Sequence, residues 1–276
     1  MPRSGVARRD FLKIASAGAL SGSFAPSLFA AAMSPSPRLK TLVIGGTAFS
    51  LGFAAARPGR CVIVERGIHL APEFSQVGDW GELGDATSEC GREMADSIRS
   101  AGLVTDGRLE LPPLSDFLHR HVEEMGLSVF CNVELVSFKR NAGGFRALVC
   151  GGGSSGLCEA NAASLLDATP VGWRDCGMEE VEARTFSAVT ADGIVSVTLP
   201  ANATRREARM KLWGRLESPD GRVKPLAEAN ELGTVYRRSG AEVVRREVAE
   251  GWKWIPSAQF GTFMSAFEEG VKCALA

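Results

Sequence analysis

Leu42-Val43-Ile44-Gly45-Gly46-Thr47-Ala48-Phe49-Ser50-Leu51-Gly52-Phe53-Ala54-Ala55-Ala56, followed by Cys61-Val62-Ile63-Val64-Glu65-Arg66, decides the fold. An apolar, β-branched run leads into a glycine pair, small and apolar residues follow, and a second β-branched run ends on an acid. That order predicts strand, tight turn, helix and parallel strand, a βαβ unit spanning Leu39 to Glu65. It also has a chemical use. Glycines let backbone N–H groups at the positive end of a helix approach a pyrophosphate, and an acid about twenty residues on can accept hydrogen bonds from a ribose. In G-x-G-x-x-G register Gly45 takes the first place, Thr47 the second and Ser50 the third. Thr47 puts a Cβ where the backbone should meet phosphate, and Ser50 adds bulk where helix and strand should touch. Gly45, Gly46, Thr47, Ser50, Glu65 and Arg66 are the candidate nucleotide-binding residues of this unit.

Composition narrows the alternatives. The chain has 276 residues, 45% hydrophobic and 23% charged, with a net charge of −1, enough apolar content for one large core or two modest ones. A pI near 6.4 lacks the concentrated basic face that nucleic acid requires. Seven cysteines (Cys61, Cys90, Cys131, Cys150, Cys158, Cys176 and Cys273) contain no C-x-x-C pair, so neither a zinc site nor an iron–sulfur cluster is expected. Cys61, Cys131 and Cys150 fall in apolar strand-like runs and read as buried free thiols.

The first 32 residues read as an address. Arg8-Arg9-Asp10-Phe11-Leu12-Lys13 matches a twin-arginine export consensus, with Ala7 where Ser or Thr is usual, and Ala30-Ala31-Ala32 offers small residues for cleavage. Gly18, Gly22 and Pro26 break the apolar segment between them, which is too weak for a stable membrane span. The expected destination is the periplasm or another exported location, reached through the twin-arginine machinery. Residues 33–40, with Pro35 and Pro37, form a linker.

Beyond the βαβ unit, residues 67–110 are punctuated by glycine and read as a lid or a solvated excursion around a helix at Glu89 to Ala101. Leu111 to Gly126 starts on proline and ends on glycine, with Leu114, Phe117, Leu118, Val122 and Met125 as the apolar stripe of a helix. Strands follow at Leu127 to Asn132, Glu134 to Lys139 and Phe145 to Cys150, the last two joined by a turn at Asn141-Ala142-Gly143-Gly144. The glycines from Gly151 to Gly156 make a flexible turn, and Leu165-Leu166-Asp167-Ala168-Thr169-Pro170 reads as a buried strand with a polar end. Glu182 to Val189 and Ile194 to Leu199 form a hairpin, Thr204 to Leu216 a helix, and Pro225 to Leu232 a short helix. The end of the chain reads as a short strand and a helix capped near Ser257.

The glycine turn with Glu65-Arg66, the Leu114-Ser115-Asp116-Phe117-Leu118 helix, the β-hairpin, and Asp167-Ala168-Thr169 at a strand end together resemble FAD-dependent oxidoreductases of the glutathione-reductase-like class, closest to a subgroup with GGT in the turn. The resemblance covers Leu39 to Pro170 and the last twenty-odd residues. It implies an α/β architecture: a Rossmann-like FAD-binding domain with a parallel sheet and a β-meander at residues 41–172 plus 250–276, and a small inserted α+β substrate domain at 173–249. It implies FAD as cofactor, held by the six turn and strand-tip residues together with Val133, Thr169, Ser257 and Ala258. Departures from the family pattern are Pro170 in place of a glycine, and Ile255-Pro256-Ser257 where relatives carry Gly-Asp.

Of the three histidines, His119 and His121 stand on different faces of one helix and read as surface residues. His69, in a loop that relatives place under the flavin, is the candidate catalytic base. Trp252, Trp254 and Phe260 wall either the flavin or the core. The function expected is hydride transfer from a small-molecule substrate to FAD, with an electron acceptor that the sequence does not name. Two other readings stay open: a binding or structural protein that keeps the fold without the cofactor, which the short length left after the leader also suits, and an NAD(P)-dependent dehydrogenase.

Overall fold

A computed structural model describes residues 41–75, 81–110, 113–151, 156–173, 181–190, 193–216, 230–237 and 242–276. The segments expected to be the export signal and the linker, together with Leu111-Pro112, Cys176, residues 152–155, Ala191-Asp192 and residues 225–229, lie outside the described residues. In chain order the elements are β1 (Thr41–Ile44), α1 (Ala48–Ala55), β2 (Cys61–Glu65), α2 (Pro72–Ser75), α3 (Glu89–Ser100), β3 (Val104–Thr105), β4 (Arg108–Leu109), α4 (Pro113–Glu124), β5 (Val129–Cys131), β6 (Val133–Asn141), β7 (Gly144–Gly151), β8 (Leu157–Ala162), β9 (Ser164–Asp167), β10 (Ala183–Thr190), β11 (Gly193–Pro200), α5 (Arg205–Leu216), β12 (Asn230–Arg237), β13 (Arg246–Ala249), β14 (Trp252–Trp254) and α6 (Phe263–Leu275).

The main sheet has the order β13-β14-β9-β1-β2-β5. Every pair from β14 to β5 is parallel, and only the edge strand β13 runs antiparallel. The strands are apolar on both faces because both faces are covered. Val43, Ile63 and Leu166 point into a core shared with α1, α3, α4 and α6. Leu42, Ile44, Val62, Val64 and Leu165 point the other way, into a second core under the antiparallel meander β6-β7-β8. A separate sheet, β11-β10-β12, packs Phe186 and Val197 against Ala208 and Leu212 of α5. The α/β architecture with a parallel sheet and a meander is therefore as the sequence predicts.

Two glycines join the ends of the described chain. A Cβ on Gly52 of α1 would collide with the Phe267 carbonyl oxygen of α6, and a Cβ on Gly270 would collide with the Phe49 carbonyl oxygen of α1. The helices thus approach backbone to backbone, and Phe49, Phe53, Phe263 and Phe267 fill the space around the contact. Gly52 thus serves a helix–helix approach, distinct from the helix–strand contact of the fingerprint's third glycine, whose place is taken by Ser50, buried inside α1.

Glu268 of α6 fastens α3. Its carboxylate accepts from Thr87 N–H (2.8 Å) and Oγ1–H (2.9 Å), and from Ser88 N–H (2.9 Å) and Oγ–H (3.0 Å). Ser88 is itself the N-cap of α3, accepting from Gly91 N–H at 3.0 Å. Burial alone raises the Glu268 pKa, and the donors from Ser88 and Thr87 together reverse that and hold it below the ordinary glutamate value.

Three sequence expectations are corrected, one strand is new, and one open alternative is decided. Residues 81–110 are neither lid nor excursion: Leu83, Met94, Ala95, Ile98 and Leu109 are core residues, because the α3 stripe faces α6. The last helix is capped by Thr262, whose hydroxyl accepts from Ser265 N–H while Ser265 answers the Thr262 N–H; Ser257 begins only a 3-10 turn that ends at Phe260 in extended backbone. Residues 230–232 lie in β12, where pairing with β10 overrides any helical preference. Strand β8 had no signal, since Leu157-Cys158-Glu159-Ala160-Asn161-Ala162 is half polar. Trp252, Trp254 and Phe260 are core residues, Phe260 stacking on Phe49 at 5.9 Å.

Gly52→Ala and Gly270→Ala are each expected to cost about 1–3 kcal/mol or more by forcing α1 and α6 apart, read as a lowered urea midpoint; unchanged midpoints would place the helices further apart than described. Because the Glu268 pKa is depressed on folding, its stabilisation is complete above the unfolded-state value and is lost as pH falls through the lower folded-state value. Glu268→Gln should flatten that acid limb of the stability profile and lower stability at neutral pH.

Candidate functional site

The C-terminal ends of β1, β2 and β9 meet where the chain reverses its direction across the sheet: β2 follows β1 on one side and β9 returns on the other. Open α/β sheets bind ligands at such a point. A crevice of about 650 Å³ lies there, within the range of small-molecule and cofactor sites. Its walls are Ile44, Gly45 and Thr47 from the first turn, Val64, Glu65 and Arg66 from the tip of β2, Pro72, Val133 to Val136 from β6, and Thr169 to Trp173 after β9.

Gly45 has φ +94°, a conformation that favours glycine, and a methyl there would stand 3.1 Å from Thr169 Cγ2. The β1 exit and the β9 exit therefore close on each other. Thr47 does not obstruct the turn: it is the N-cap of α1, its hydroxyl accepting from Ser50 N–H at 3.2 Å and lying 3.0 Å from Ser50 Oγ.

Glu65 holds the strand tip together. Oε2 accepts from Gly46 N–H at 2.6 Å, and Oε1 accepts from Gly67 N–H at 2.5 Å. Burial raises its pKa, and the two amides, with the charges of Arg66 and His69, oppose that rise. Each oxygen has capacity for a second donor, which a ribose hydroxyl facing the crevice can supply.

Asp167 does the same for the opposite wall. Fully buried, it accepts from Thr169 N–H (3.0 Å) and Oγ1–H (2.6 Å) through Oδ1 and from Trp173 N–H (2.6 Å) through Oδ2. Burial raises this carboxyl's pKa against those donors. Trp254 Nε1–H donates to the Thr169 carbonyl at 3.0 Å and Trp173 Nε1–H to the Leu135 carbonyl at 2.9 Å, so the 167–173 turn is fixed at both ends.

Of the residues proposed from sequence, Gly45, Thr47, Glu65, Arg66, Val133 and Thr169 line the crevice. Gly46 lies beneath it with its amide taken by Glu65, and Ser50 is internal to α1. Ser257, Ala258 and His69 are not among the lining residues. Ala258 packs in a small cluster with Val171, Val181 and Ala201. His69 Nδ1 lies 3.0 Å from Ser115 Oγ of α4, and His119 Nε2 lies 2.8 Å from the Ile68 carbonyl, so two histidines pin the loop after β2 to α4. His119 and His121 are partly exposed on α4, His121 stacking on Phe117 at 5.1 Å.

Sequence reasoning missed Glu73, Pro72 and Trp173. Glu73 Oε1 accepts from Ala48 N–H, the first amide of α1, at 2.8 Å. The only signal was an acid following a proline in a stretch too short to show periodicity. Among the six described cysteines all are free; burial pushes Cys61 up to about 11 and Cys131 up to about 12, which keeps both as thiols.

No protein-family model and no curated protein sequence matches the chain. Solved structures do match it. A geranylgeranyl bacteriochlorophyll reductase-like protein from Thermoplasma acidophilum is 14% identical, with 86% of this chain and 77% of that one covered at a TM-score of 0.51. The p-nitrophenol 4-monooxygenase PnpA of Pseudomonas putida is 12% identical over 86% and 78% of the two chains, TM-score 0.53. Aklavinone-11 hydroxylase, solved with FAD and aklavinone, is 14% identical over 86% and 61%, TM-score 0.50. At these identities the likeness is one of fold, and the fold is the Rossmann-like one of FAD-binding flavoproteins.

Asp167→Asn puts an amide donor against Thr169 or Trp173 N–H and is expected to cost about 1–3 kcal/mol while changing the emission of Trp173. Wild-type melting and emission in this variant would remove Asp167 as the organiser of the wall.

Proposed function

We propose that the chain is an exported FAD-dependent oxidoreductase of the subgroup with GGT in its nucleotide turn, acting on a small-molecule substrate. The observation that carries the reading is Glu65: a buried carboxylate, aimed by two backbone amides, at the mouth of a crevice above β1 and β2. The fold shared with FAD enzymes supports it.

The residues present suit the adenosine part of FAD. Val133, Leu135 and Val136 with Arg66 offer apolar side chains and a guanidinium for the adenine, Glu65 can accept from the ribose hydroxyls, and the missing Cβ at Gly45 keeps open the space beside Thr169. Bound FAD would supply the redox chemistry, accepting from a substrate carbon one hydride, which carries both electrons, the pair passing later to a separate acceptor. The protein's part is to bind, to orient and to keep water from the reacting face. Sheet β11-β10-β12 with α5 is assigned the substrate side. Export rests on Arg8-Arg9, and the twin-arginine route, which carries folded proteins, suits a protein that acquires its cofactor before it leaves.

A second reading, a scaffold of the same fold that binds no dinucleotide, draws on one observation: the first amide of α1 already has an acceptor in Glu73.

Purified chain is expected to absorb blue light as oxidised flavin, or to gain that absorption on addition of FAD, and Glu65→Ala should weaken FAD affinity at least ten-fold, about 1.4 kcal/mol. A colourless protein that takes up no FAD at any concentration would favour the scaffold.

A further inference from the structure

The head of α1 is where the crevice and the protein's own charge compete. The helix has no acid in its own first turn, and its amide end is served instead by Glu73, a buried residue on α2. The segment that carries Glu73 is folded down over the glycine turn. Ala71 N–H donates to the Gly46 carbonyl at 2.6 Å, Leu70 is fully buried, and Phe74 is set in the main core edge-on to Phe263 at 5.9 Å. Ala71 pays for this path with φ +47°, a left-handed conformation that a residue with a Cβ rarely adopts. Pro72, between them, forms part of the crevice wall.

We infer that Glu73 is a built-in competitor for the phosphates: its carboxylate holds the α1 amide that a dinucleotide's diphosphate would use, so the crevice receives adenosine freely and a diphosphate only when Glu73 gives way. The inference rests on the nucleotide reading of the crevice. Two anions cannot share one helix N-terminus at close range, and a charge-assisted hydrogen bond to a buried amide is among the stronger ones to displace. Glu73 is thus a specificity-determining residue that sets how much the diphosphate adds to binding.

The test compares adenosine, ADP and FAD binding, by titration calorimetry, to wild type, Glu73→Gln and Glu73→Ala, with melting curves to confirm folding. Wild type is expected to bind ADP no more tightly than adenosine. In both variants adenosine affinity should stay within about two-fold, while ADP and FAD tighten on the order of ten-fold. Glu73→Gln keeps the side-chain volume, so it serves if the alanine variant does not fold. ADP binding wild type ten-fold more tightly than adenosine would overturn the inference without any variant. So would adenosine, ADP and FAD affinities that all match wild type in the variants; in that case the nucleotide reading stands and Glu73 is only a helix cap. If none of the folded proteins binds any of the three ligands, the nucleotide reading fails and this inference falls with it.

Discussion

The rest of the molecule depends on the backbone contact between α1 and α6. It is made possible at two positions only, Gly52 and Gly270, each lying where a methyl group would strike a carbonyl of the other helix. Because α1 starts at the glycine turn, its position fixes where Gly45 and Thr47 stand in the crevice wall. Because α6 carries Glu268, the same contact sets α3 through Thr87 and Ser88. Segment 82–83 completes the arrangement from outside, its carbonyls accepting from Phe263 and Met264 N–H at the start of α6. A helix near the end of the chain is therefore a structural part of the first βαβ unit.

Carboxylates act in this fold as hubs for backbone amides. Glu65, Glu73, Asp167 and Glu268 are all buried, and each accepts from at least one main-chain N–H. Buried acids are costly unless they are hydrogen-bonded, and the compensation here is largely local. The result differs by site. Burial dominates at Glu65 and Asp167, whose pKa values rise, whereas the four donors at Glu268 outweigh it. Glu65 lines the crevice, and Glu73 and Asp167 fix the segments that carry its other walls, so the site is built by fixing peptide planes, with Arg66 as the cation in its lining.

Much of this was legible in the sequence because it is local. The β-branched runs at 41–44 and 61–65, the glycine turn between them, the α3 and α4 stripes and the β6–β7 hairpin each follow from periodicity and turn chemistry within a short window. The strand-tip acid and the Asp167-Ala168-Thr169 end were legible for the same reason, and both stand at the crevice. What escaped was long-range. Gly52 read as an ordinary small residue because its partner lies in α6, and Glu73 gave no pattern because its meaning comes from Ala48. The cap of α6 was misplaced because Ser257 and Thr262 are both good capping residues, and only the Ser265 reply to Thr262 separates them.

Strand β13 is the one antiparallel member of the main sheet and stands at its edge. It is four residues long, mostly exposed, begins Arg246-Glu247, and slips register against β14 between Glu247 and Ala249. A short, charged and irregular border offers a poor template to a strand from another molecule. With β5 only three residues long at the opposite border, the sheet resists growth in either direction, and an otherwise apolar parallel core is kept from seeding aggregates.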